Sequence, residues 1–186
     1  MKPCVSLFVS TLLFDDRNNV LHSHVPVAEM LPLTTAEYTI GGCTALLDAV
    51  GDAIQHAVRH QRHAKPERRA ENVVFVIITD GLENAIRRFT NRQVQGLVAR
   101  ETKDYGWEFL YLGANIDAFA AAADIGIDKS HAANWVADAS GIGTTFKDIG
   151  DAVCCMREST PAAPYSLSSG AWKKRTDEDY RKRGKK

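Results

Sequence analysis

The chain has 186 residues, 45% apolar and 25% charged, enough for one domain with a real core and too few for two ordinary domains. The formal net charge is zero, but residues 173–186 hold eight Lys/Arg against three Asp/Glu, leaving fifteen basic and twenty acidic residues elsewhere. No stretch reaches the ~20 consecutive apolar residues of a membrane helix, which excludes a membrane span.

Lys2 and the apolar run Val5 to Phe14 superficially resemble a secretory signal. Ser6, Ser10 and Thr11 interrupt the run, no small-x-small cleavage site follows, and Asp15-Asp16-Arg17-Asn18-Asn19 has turn composition. The run is therefore expected to be a strand, and NVLHSHV at 19–25, alternating apolar and polar, its hairpin partner at the edge of a sheet. Prolines 26 and 32 predict an irregular connection up to Tyr38. After Gly41-Gly42 comes an amphipathic helix. Leu46, Val50, Ala53, Ile54, Ala57 and Val58 share one stripe, while Asp48, Asp52, Gln55, Arg59 and His60 face away.

Val73 to Thr79 is an unbroken apolar run ended by Asp80-Gly81, the pattern of a parallel strand buried on both faces. Thr90 and Gln93 have capping-box spacing, and Gly106 stands where a helix ends in a left-handed residue. Trp107 to Leu112 predicts the next strand, and an Ala-rich helix then runs to about Gly126. Residues 133–137 and 144–156 predict a last strand and helix, with Phe146, Ile149, Val153 and Met156 on one face. Alternating strands and helices imply an α/β fold, a three-layer doubly wound, mostly parallel sheet with one antiparallel edge strand. The expected division is a domain over 1–158 and a basic, flexible tail over 159–186.

In such sheets ligands gather at the carboxyl ends of strands, which makes Asp80 the best-placed carboxylate in the chain; Asn115 and Asp117 follow the next strand end and form a possible rim. Thr44 opens the amphipathic helix behind two glycines. A hydroxyl and a carboxylate from two loops are hard oxygen donors suited to Mg²⁺ or Mn²⁺. His56, His60 and His63 share one helix face, and His22 and His24 one side of a strand; their Gln, Arg and Lys surroundings favour a solvated surface over zinc. The segment from Ser140 to Thr145 lacks the Lys of a phosphate loop and reads as a turn before a helix. Cys4, Cys43, Cys154 and Cys155 lack CxxC spacing and are expected to be reduced thiols of a cytoplasmic protein, with one of the adjacent pair turned to the core.

The segments VSLFVSTLLFDD, GGCTALLDAVGDAI, VVFVIITDGLENA and WEFLYLGANIDAFAAAADIGI resemble, in that order, the von Willebrand factor type A domain, in particular its small intracellular forms from bacteria and phages. The resemblance covers residues 4 to 130. It implies a vWA/Rossmann-like fold and a protein-protein interaction module that is not an enzyme. It also implies a metal-ion-dependent adhesion site, in which Mg²⁺ or Mn²⁺ bridges to an acidic residue of a partner. By similarity Thr44 and Asp80 are the second- and third-loop ligands, and Gly41, Gly42 and Gly81 shape the loops. The family's first strand and its Asp-x-Ser-x-Ser loop have no counterpart in these residues. The site therefore looks incomplete, which leaves an upstream start, a strand supplied by another chain, or direct pairing of the flanking strands, in that order. Two readings from other classes remain: a phosphate-ester hydrolase using Asp80 and Asp117, and nucleic-acid binding through the basic tail, disfavoured by the acidic residues within it.

Overall fold

A computed structural model describes residues 6–15, 17–34, 37, 44–81, 85, 88–159 and 165–184. Its strands form two separate sheets. Strands β1 (Phe8–Phe14) and β2 (Asn18–Pro26) make an antiparallel hairpin around the predicted turn. Strands β3 (Val74–Thr79), β4 (Glu108–Gly113) and β5 (Ala132–Asn134) make a parallel sheet in that order. The hairpin was expected at an edge of one common sheet, and the structure corrects this. β1 has no ladder to β3 and no fully buried residue, so its apolar side chains are only half covered.

Among the described residues five α-helices accompany the sheets: α1 (Leu46–His63), α2 (Asn91–Tyr105), α3 (Ala118–Asp124), α4 (Ala139–Glu158) and α5 (Lys174–Arg183). Alternation along the parallel strands separates two cores. Phe75, Ile77, Phe109 and Tyr111 pack with α1, α2 and α3 residues such as Leu47, Ile54, Val94 and Ala122. Val74, Ile78, Leu110 and Leu112 face the other way, against Ile149 and Ala152 of α4 and against Leu167 and Trp172. The result is three layers with helices on both faces. The described strand order never reverses, however. α2 and α3 therefore lie on one face, and the chain after β5 covers the other, so a doubly wound arrangement with a switch point is not what these strands form.

Local signals explain most boundaries. The Thr90 hydroxyl accepts the Gln93 amide while the Gln93 side chain accepts the Thr90 amide, closing the capping box of α2. Gly106 ends that helix at φ 66°. α4 begins earlier than its apolar stripe suggests, because Asp138 accepts the Gly141 amide and starts the helix ahead of Ser140. The expected turn at 140–145 is thus helical. Phe146 points to solvent, while Ile149, Val153 and Met156 keep the predicted inward face.

The largest correction concerns the expected flexible tail. Residues 165–184 fold back onto α4, with Leu167, Trp172, Lys173 and Thr176 buried. Buried Asp148 of α4 accepts the amide and hydroxyl of Thr176 at 2.8 and 2.9 Å and pairs with Arg175. The Trp172 indole donates to the Ser130 carbonyl at 2.9 Å. Arg183 bridges to Asp138, so the basic composition of this segment serves internal ion pairs.

Cys154 and Cys155 are both exposed, against the expectation of a buried thiol, since α4 turns Ala152, Val153 and Met156 inward. Among the described residues no helix is long and apolar enough to cross a membrane.

Candidate functional site

Asp80 follows β3 directly, and its register partner strand β4 ends level with it, Thr79 opposite Gly113. The Thr79 hydroxyl donates to the Gly81 carbonyl at 2.9 Å and accepts the Gly81 amide at 3.3 Å. This tight turn projects Asp80 from the sheet end. Its side chain is exposed and makes no hydrogen bond or ion pair with another described residue.

Thr44 arrives from a different part of the chain. The Ala45 amide donates to the Asp15 carbonyl at 2.8 Å, which ties the start of α1 to the end of the hairpin. Thr44 Oγ1 then lies against Gly81, where an added Cβ would be only 3.2 Å from it. Glycine at 81 thereby allows the hydroxyl-bearing loop and the carboxylate-bearing loop to meet. Thr44 thus lies beside Gly81, the residue that follows Asp80. Gly41 and Gly42 lie outside the described residues.

The other predicted rim residues reach the same end of the sheet. Asn115 is exposed at φ 58°, a left-handed conformation that Asn tolerates better than most side chains. Asp117 caps α3, its Oδ1 accepting the amides of Phe119 and Ala120 at 3.1 Å each. That carboxylate oxygen is committed to the helix, which weakens its pairing with Asp80 as an acid-base couple.

A second group of residues, which sequence periodicity placed on the solvent side of α1, holds the loop beyond Asp80. Asp48 is 4% exposed; its Oδ1 accepts the amides of Arg88 at 3.0 Å and Phe89 at 2.9 Å. Asp52 takes the Arg88 guanidinium and also accepts the Asn18 side-chain amide at 2.6 Å, linking loop, helix and hairpin. The Asp52 carboxylate raises the Arg88 pKa, chiefly through their hydrogen bond. The signal available in sequence was a carboxylate one turn into an amphipathic helix, which alone reads as surface.

As a cation site the pair Thr44 and Asp80 offers one hydroxyl and one carboxylate. Among the described residues no group of three or more His, Cys, Asp or Glu side chains converges as a metal centre. Two hard oxygens fit a cation that keeps most of its water, rather than one caged by protein. The described histidines form no such centre either: the His63 Nδ1 bonds the Arg59 carbonyl at 2.7 Å, and the His60 ring meets His24 at a tilt of 37°. Compared with protein-family models, curated proteins and solved structures, the chain matches none.

Proposed function

We propose that this chain is a protein-protein interaction module of the von Willebrand factor A type that works without catalysis. Its partner would present an acidic residue to a hydrated Mg²⁺ or Mn²⁺ ion held by Thr44 and Asp80. The observation that carries the proposal is the packing of Thr44 Oγ1 against Gly81, beside a carboxylate engaged with no other described group. The ion supplies an electrophilic centre for a carboxylate. Asp80 contributes charge, Thr44 a neutral oxygen, and Asp48 and Asp15 hold the two loops in place. With so few protein donors, ion and partner carboxylate stabilise one another, and binding of either alone is weak. Calorimetry with Mn²⁺ tests this directly: weak binding by the native chain should disappear in Asp80→Ala and fall in Thr44→Val. Unchanged binding in both variants would sink the proposal.

One observation favours a second mode of partner contact. Among the described residues β3 is the edge of the parallel sheet, β1 is not laddered to it, and Val76 in the middle of β3 is 37% exposed. An unpaired edge offers backbone N–H and C=O groups to an added strand, so a partner chain can bind by completing the sheet beside β3. Val76→Lys should leave thermal stability nearly unchanged and reduce capture of an extended apolar peptide in a fluorescence-anisotropy titration. Equal capture by both forms would count against edge binding.

A further inference from the structure

The hairpin touches α1 at two places of different chemistry. At its turn end it is fixed by Phe14 in the core, by the Asn18–Asp52 hydrogen bond and by the Ala45–Asp15 backbone bond. At its open end the contact is a stack of rings. A bulge in the β1–β2 register, between Val9 and Thr11, accompanies a His24 backbone held at φ 54°, and the His24 amide donates to Ser10 Oγ at 3.0 Å. His24 lies parallel to Phe8 with ring centroids 4.1 Å apart, and it also meets the His60 ring of α1 at 4.1 Å, tilted by 37°.

Among the described residues, the titratable side chains that α1 places beside this contact are basic. α1 adds His56, Arg59 and His63, which with His60 and Ala64 line an open groove of about 440 Å³. β2 adds His22, and β1 contributes only Phe8 and Ser10 to His24. Glu29 stands exposed in the 3-10 turn after β2, and no carboxylate influences the His24 imidazole.

We infer that the Phe8–His24–His60 ring contact is a pH-sensitive latch: a neutral His24 ring holds the open end of the hairpin on α1, and protonation of His24 releases it. A positive charge on His24 would lose solvation between the rings of Phe8 and His60, with no described carboxylate beside it. In agreement, burial, with His60 second, lowers the His24 pKa from its ordinary 6.5. The sign follows from linkage. A base whose pKa is depressed in the docked state binds more protons when released, so docking is complete above pH 6.5 and weakens as pH falls below it. The Asn18–Asp52 hydrogen bond and Phe14, packed against the core, involve no histidine and keep the turn end attached, so release is a hinged opening of β1 and β2 about Phe14 rather than unfolding.

Hydrogen exchange on the whole chain at pH 7.5 and 5.5, corrected for intrinsic rates, tests the latch. Protection of amides in residues 8–13 and 20–26 should fall several-fold, by no more than about tenfold, at the lower pH, while β4 and α2 stay unchanged. His60→Phe, an exposed helix position that keeps an aromatic ring, should lessen that fall by removing the His60 contribution, and NMR titration of the native chain should place His24 below 6.5. An unchanged fall in His60→Phe, a fall shared by β4, no fall at all, or a His24 pKa at or above its ordinary value would each overturn the latch.

Discussion

Asp48 illustrates how one buried carboxylate supports a site it does not join. It satisfies two partly buried backbone amides in the loop after Asp80 and faces the Arg88 guanidinium, so removing it leaves those donors without this partner and opens a gap at a buried position. Asp48→Ala is expected to cost about 2–4 kcal/mol in urea denaturation, and Asp48→Asn less, since one oxygen is retained. Gly141 is constrained by space instead. A Cβ there would lie 2.0 Å from the Val136 carbonyl oxygen, a backbone atom that cannot swing away. Gly141→Ala should therefore destabilise by about 3 kcal/mol or more, whereas Gly143→Ala, with nothing near its Cβ, should not destabilise.

Among elements, α5 departs most from its composition. Its residues are mostly charged and lack an apolar stripe, so sequence patterning reads solvent exposure. Docking comes from groups that patterning does not weigh: the Trp172 ring before the helix, the Thr176 hydroxyl on Asp148, and Arg183 on Asp138. Trp172→Ala is expected to cost about 3–5 kcal/mol, measured by thermal or chemical unfolding. Asp138 also reports this docking. Its hydrogen bond from Arg183, first, and from the Gly141 amide hold its pKa below the ordinary 3.8, so its contribution is present above pH 3.8 and is lost on further acidification. In Arg183→Ala an NMR titration should show the Asp138 pKa moving up toward the ordinary value. The elements legible in sequence were those with periodicity and caps together: β3 and β4 from continuous apolar runs, α2 from Thr90, Gln93 and Gly106. Thr44 and Asp80 were legible as loop-borne oxygens. Asp48 was not, because its burial arises from a loop forty residues away.

At the scale of the whole molecule, the hairpin and the parallel sheet share α1 but not a ladder. Phe14 of β1 and Ile77 of β3 enter one core, yet hydrogen bonding stops at each strand. That separation accounts for two proposed properties at once: an open β3 edge available to a partner strand, and a hairpin whose far end is held only by a ring stack. It also sets the character of the candidate site. Thr44 is positioned through the hairpin and Asp80 through the parallel sheet, so the site depends on the docking of two units. The most direct measurement is paramagnetic broadening of backbone amide signals by substoichiometric Mn²⁺. Broadening centred on residues 44–45, 79–81 and 114–115, and lost in Asp80→Ala, is the predicted result. Broadening centred on the His56–His63 face of α1, or persisting undiminished in Asp80→Ala, would contradict a cation site at Thr44 and Asp80.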